Sequence, residues 1–197
     1  MPTPKKTELK KRLLKAYQKD HHALCRLLGE ELVRIDPADW SAQLMYASSL
    51  CAFCDYEKAY QAIDRAQAHI PKEKIYLIHI RRGNLLKRQG RLPEAEKQYL
   101  KSHQTRPDDA SGLIFAGSVA FCRGNLDTAV SHLRKAIQCR DGCIDEAYYN
   151  LGGYLLAKHQ YEEARICYLK ALEIDPDYRQ AKKQLRDLDQ TLKRLMA

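Results

Sequence analysis

Small and large apolar residues recur along this chain at one long interval. Ala59, Ala95, Ala129 and Ala164 lie 36, 34 and 35 residues apart. Ala47, Gly83, Gly117 and Gly152 keep the same three spacings, as do the larger Ile63, Tyr99, Leu133 and Tyr168 and the small Ala66, Ser102, Ala136 and Ala171. A period in this range marks stacked supersecondary units, each too small to bury its apolar face without a neighbour. The pattern predicts two antiparallel helices per unit. Small slots let the backbones approach, and the large slot fills the space beside them. Pro71, Pro107 and Pro176 follow the second helices and end them. The third unit has Asp141 in the proline slot and one extra residue before the fourth begins, so an irregular turn is expected there.

The last unit is the clearest. From Asp145 it reads DEAYYNLGGYLLAKHQYEEARICYLKALEIDPDY, which resembles the tetratricopeptide repeat. Tyr148 stands at the large position, Leu151-Gly152 is the Leu-Gly pair, and Leu155 replaces the usual tyrosine. Ala164, Tyr168, Ala171 and Pro176 supply the small, aromatic, small and proline positions of the second helix. The resemblance implies an all-α fold, a right-handed superhelical solenoid of antiparallel helix pairs. Four repeats fall at about 40–75, 76–109, 110–144 and 145–178.

The ends depart from the pattern. Ile35-Asp36-Pro37 echoes Ile174-Asp175-Pro176, yet Leu13, Gly29 and Leu32 occupy slots that should be small, large and small. Residues 1–39 are expected to be a degenerate repeat or an N-terminal capping hairpin. Beyond Tyr178, Ala181, Leu185, Leu188, Leu192 and Leu195 recur at spacings of four and three among charged residues. They make one apolar stripe on a C-terminal capping helix over 179–197.

In this family the first helix of each repeat lines an inner surface. That geometry implies an apolar stripe of Leu44, Ile80, Ile114 and Tyr149, with Ser48, Asn84 and Ser118 one turn on, then Lys87, Phe121 and Leu156. Arg88 and Lys87 place positive charge near the middle. Such a groove suits an extended peptide or an amphipathic helix. Relatives that capture an acidic chaperone C-terminus carry lysine, arginine and asparagine at the inward slots. Here those slots hold Leu44, Ser48, Ile80 and Ile114, and only Asn84 matches. The basic run Arg81, Arg82, Lys87, Arg88 and Arg91 cannot share one helix face, so part of it is solvated surface.

Net charge is +9, but residues 1–20 contribute +5 and residues 179–197 contribute +4, which leaves the interior neutral. A protein tracking phosphates along its length carries its excess along the binding face. No run approaches a membrane span, and the lysine-rich start lacks an apolar core or cleavage-type sequence. Seven cysteines form no disulfide framework, in keeping with reduced thiols in a cytoplasmic protein.

Chemistry is sparse. Cys51 and Cys54 form a CxxC on one first helix, while Cys139 and Cys143 fall near the end of a second helix two repeats later, so four zinc ligands do not converge. The seven histidines lack metal spacing, and no phosphate loop or nucleophile elbow appears. The expectation is a non-enzymatic interaction adaptor or scaffold, chaperone-like in one variant, without cofactor, metal or small-molecule substrate. It binds a partner's peptide or amphipathic helix. The alternative is attachment to RNA or an anionic membrane through the basic ends. The oligomeric state is left open.

Overall fold

The computed structural model describes residues 4–195, without the side chains of Pro4 and Leu195. It divides into two compact units, residues 1–98 and 99–197. The class is all-α, as the periodicity predicts. Among the described residues there are eleven α-helices and one 3-10 turn, and no strand.

The first unit contains α1 (Pro4–Gln18), α2 (His22–Ile35), α3 (Trp40–Ala52), α4 (Tyr56–His69), the 3-10 turn Lys72–Lys74, α5 (Tyr76–Arg88) and the start of α6 (Leu92–Thr105). Helix α3 packs against α1, α2, α4 and α5. Its N-terminus is capped by Asp39, whose carboxylate accepts from the Ser41 and Ala42 amides at 3.1 Å each and from Lys10 Nζ of α1 at 2.6 Å. One carboxylate thus satisfies orphan donors and ties α1 to the next hairpin.

The departures in residues 1–39 have a steric explanation. Leu13 and Leu32, in slots that are small elsewhere, are fully buried in a cluster with Leu9, Leu28, Ala42 and Met45. Gly29, in the large slot, lies under the Tyr46 ring, with Tyr46 Cδ2 2.9 Å from where a Cβ would stand. The neighbouring hairpin supplies the missing volume. The apolar positions of the next hairpin behave regularly, with Ala59, Ile63 and Ala66 buried beside Leu50, Ile78 and Leu85.

The second unit contains α7 (Ser111–Cys122), α8 (Leu126–Ala136), α9 (Ile144–Ala157), α10 (Tyr161–Ile174) and α11 (Arg179–Leu195). Gly117 faces the Ala129 carbonyl and Leu133, and Gly152 faces the Ala164 carbonyl and the Tyr168 ring. The repeated slots are therefore close helix crossings that leave little room for a side chain. Helix α11 buries Ala181 and Leu188, with Leu185 and Leu192 half-buried against the same core. Leu195, the last position of the expected stripe, has its side chain outside the described residues.

The turn without proline is irregular. Arg140 and Asp141 donate their amides to the Asp108 carbonyl (3.1 and 2.9 Å), and the Ala110 amide donates to the Asp141 carbonyl at 3.0 Å. The turn after α8 is thus stitched to the turn before α7 by an isolated bridge, and Gly142 beside it has φ +96°. The extra residue is absorbed by pairing two turns.

Each hairpin reverses in one way. Asp20, Cys54, Gly90, Gly124 and His159 have φ between +53° and +76°. In each case the amide of the next residue bonds the carbonyl five positions back: His21 to Ala16, Asp55 to Leu50, Arg91 to Leu86, Asn125 to Ala120 and Gln160 to Leu155. This is the Schellman closure of a helix C-terminus. The first hairpin, α1–α2, has it as well.

Candidate functional site

The first unit holds a cleft of about 280 Å³ between the α1–α2 turn, α3 and α5. Ala47, Ala52, Ile63 and Leu85 supply its apolar lining. Ser48, Asn84, Arg81, Lys87 and Arg88 supply donors and positive charge, against the single acid Asp20. Ser48 Oγ donates to the Leu44 carbonyl at 3.0 Å, which leaves its oxygen as an acceptor. The Arg81 guanidinium lies 5.5 Å from the centroid of the Tyr17 ring. Its Nε is buried without a hydrogen-bond partner, a costly arrangement for a charged donor.

Tyr17 and Arg81 also line a second cleft of about 250 Å³ with Leu14, Trp40, Leu44, Met45 and Leu77. Its walls are mainly apolar. Lys74 Nζ stands 5.2 Å from the Trp40 ring centroid. An apolar recess and a basic one therefore share the Tyr17–Arg81 pair.

The structure sorts the expected contact residues. Ser48, Asn84, Lys87 and Arg88 meet in the basic cleft, and Leu44 reaches the apolar one. Leu44, Ile80 and Ile114 are nevertheless 3%, 6% and 4% exposed, so the expected open apolar stripe is corrected to core packing. First helices of successive hairpins touch, α3 on α5 and α7 on α9, and this row is sealed between helices. In the second unit Ser118 is half-buried and Leu156 packs on the core. Phe121 is 45% exposed, with its ring 4.5 Å from that of Tyr154. Tyr149 lies between Tyr168 and Tyr178 at 6.0 and 5.0 Å.

The basic run separates as helix geometry requires. Arg82 turns to Asp64 and Gln67, each at 2.7 Å, and Arg91 pairs with Glu94. Tyr17 and Trp40 were missed in the sequence. Tyr17 lies in the hairpin whose size pattern departs from the repeats, and Trp40 opens α3 beside it.

The two cysteine pairs do not converge. Cys51 is buried on the cleft wall, whereas Cys54 lies beyond the end of α3 in the turn, and Cys139 and Cys143 lie beyond α8. Burial pushes the Cys51 thiol up, and Arg88 only partly opposes it. A protonated thiol is a poor nucleophile at neutral pH. No cluster of three metal-ligating side chains occurs among the described residues, and no helix among them is long and apolar enough to cross a membrane.

Two tetratricopeptide repeat family models match, over residues 80–142 and 145–178. This chain belongs to the tetratricopeptide repeat family. Proteins of this family generally mediate protein–protein interaction. RNA polymerase II-associated protein 3 of Rattus norvegicus is 30% identical over 130 residues, 66% of this chain and 18% of that protein. A solved structure of the first tetratricopeptide domain of Spaghetti (RPAP3), bound to the HSP90 peptide SRMEEVD, is 27% identical with a TM-score of 0.55. It covers 63% of this chain and 97% of that one. The tetratricopeptide protein TTC0263 of Thermus thermophilus covers 93% of this chain and 98% of its own, with a TM-score of 0.68 and 18% identity, a likeness of fold. The chain spans only 11% to 18% of the length of the curated relatives it matches.

Proposed function

We propose that this tetratricopeptide protein is a non-enzymatic interaction module. It captures a short peptide or amphipathic segment of a partner in the paired clefts of its first unit, an acidic group facing Arg81, Lys87 and Arg88 and an apolar side chain entering beside Trp40. The observation that carries this reading is Arg81, stacked on Tyr17 with a buried donor unspent and lining both clefts. The related domain binds SRMEEVD, an acidic peptide with one methionine, which has the same two chemistries. The inward slots named from the resemblance lack lysine and arginine, but neighbouring positions of α5 supply the charge.

Attachment through the basic N-terminus is less favoured. Lys5 pairs with Glu31 at 3.1 Å, Lys6 with Asp36 and Lys10 with Asp39, so three of its cations face acids of the same fold.

Calorimetric titration tests the reading with SRMEEVD and with a control in which every acid, the C-terminal carboxylate included, becomes an amide, SRMQQVN-amide. The acidic peptide binds more tightly, and Arg81→Gln weakens it about tenfold or more, the effect of losing a desolvated charge-assisted bond. The apolar contribution persists at high salt. Equal affinity for both peptides, or an unchanged Arg81→Gln variant, refutes the proposed charge recognition.

A further inference from the structure

The second unit carries a different surface, independent of the clefts above. Glu146, Asn150 and Tyr154 stand four residues apart and share one face of α9. The Phe121 ring lies flat on Tyr154, 4.5 Å between centroids and 6° from parallel, although Phe121 is 45% exposed. Tyr178, at the entry to α11, packs with its ring centroid 5.0 Å from that of Tyr149 on α9.

Glu146 and Tyr154 stand about two turns apart on that face, and Tyr149 brings Tyr178 against the same helix. The negative charge of Glu146 acts on Tyr154, and those of Glu146 and Asp145 act on Tyr178. Burial pushes the Glu146 carboxyl up, a hydrogen bond with Asn150 partly offsets this, and Asp145 adds a smaller push upward. Burial raises Tyr154 and Tyr178 to about 12, so both rings stay neutral and electron-rich. Among the described residues no lysine, arginine or histidine forms an ion pair with Asp145 or Glu146.

A half-buried carboxyl without a cation, on the same helix face as a half-buried tyrosine stacked on the exposed Phe121 ring, is a poor surface for water and a good one for an organic cation. The ring quadrupoles attract positive charge and the carboxylate fixes its place. An apolar ligand would use the rings but leave the carboxyl desolvated, and an anion would be repelled. We infer that the Phe121–Tyr154 stack and Glu146 form a receptor for a cationic side chain, lysine or arginine, of a partner protein. The aliphatic stem lies on the rings and the charged head reaches Glu146.

The probe is the capped tripeptide acetyl-Gly-Lys-Gly-amide, titrated into the full chain and followed by amide chemical shifts. The norleucine tripeptide, with an aliphatic chain and no ammonium, is the control. Shifts are expected at residues 121–122, 145–154 and 178, with dissociation constants near ~1 mM, as befits one small contact. Glu146→Gln, which keeps shape and removes charge, weakens the lysine peptide at least tenfold while helicity and melting stay unchanged. Phe121→Ala, at an exposed position, weakens it as well. Equal shifts from both tripeptides, shifts that survive in Glu146→Gln, shifts centred elsewhere, or no shift up to ~10 mM overturn the assignment.

Discussion

At Asp39 one side chain decides how two hairpins meet. Burial alone would raise its carboxyl, but bonds from Lys10, Ser41 and the Ala42 amide outweigh burial and hold it below the usual carboxylate range. A depressed carboxylate contributes stability that is present above its unfolded pKa and lost as pH falls through the folded value. Asp39→Ala therefore costs about 1–2 kcal/mol at neutral pH, the size of a lost N-cap. Its deficit against the unmutated protein narrows as pH drops below about 4. Urea melts at pH 7 and pH 3 check this, and an equal deficit at both means that the charge of Asp39 contributes nothing. At this scale the sequence was informative where residue size carries the message. Ala59, Ala95, Ala129 and Ala164 are all fully buried because a larger side chain has no room there. It marked Arg81 only as one of a basic run, because the position of Arg81 beside Tyr17 depends on another helix.

Among the elements, the hairpin turns show what period and residue type each reveal. The helix pairs were legible from spacing, and so was the irregular turn at Asp141. The five left-handed closures were not, because Asp20, Cys54 and His159 share a backbone conformation without sharing a chemistry, and only Gly90 and Gly124 announce it. A left-handed residue with a Cβ costs about 1–2 kcal/mol, part of which glycine returns through its freer unfolded chain. Cys54→Gly is therefore expected to stabilise the protein by about 0.5–1 kcal/mol, and Gly124→Ala to destabilise it by a similar amount. Thermal melts of the two variants read out both signs. A lower melting temperature for Cys54→Gly would place the value of Cys54 in its side chain rather than in its backbone. The apolar stripe failed for a related reason. Spacing puts Leu44, Ile80 and Ile114 in equivalent places, but whether that row is open depends on how closely first helices approach, and α3 on α5 closes it.

Across the molecule, repeats that contact only their neighbours distribute stability locally. The packing agrees, since the main helix contacts among the described residues join elements at most two positions apart along the chain, counted in helices. Ala59 and Ala164 occupy the same slot in different units, both without exposed surface. A glutamate at either place inserts a charge into a helix crossing and is strongly destabilising. If stability is a sum of local terms, Ala59→Glu speeds amide exchange first in α3–α5 and leaves α9–α11 protected, while Ala164→Glu does the reverse. Exchange followed by mass spectrometry of peptic fragments separates this from a single cooperative core, in which either variant would lose protection evenly along the chain. The local outcome also has a functional corollary. Ala164→Glu would then spare peptide capture by the clefts of residues 1–98 while removing the cation site on α9, and the two proposed contacts could be switched off independently.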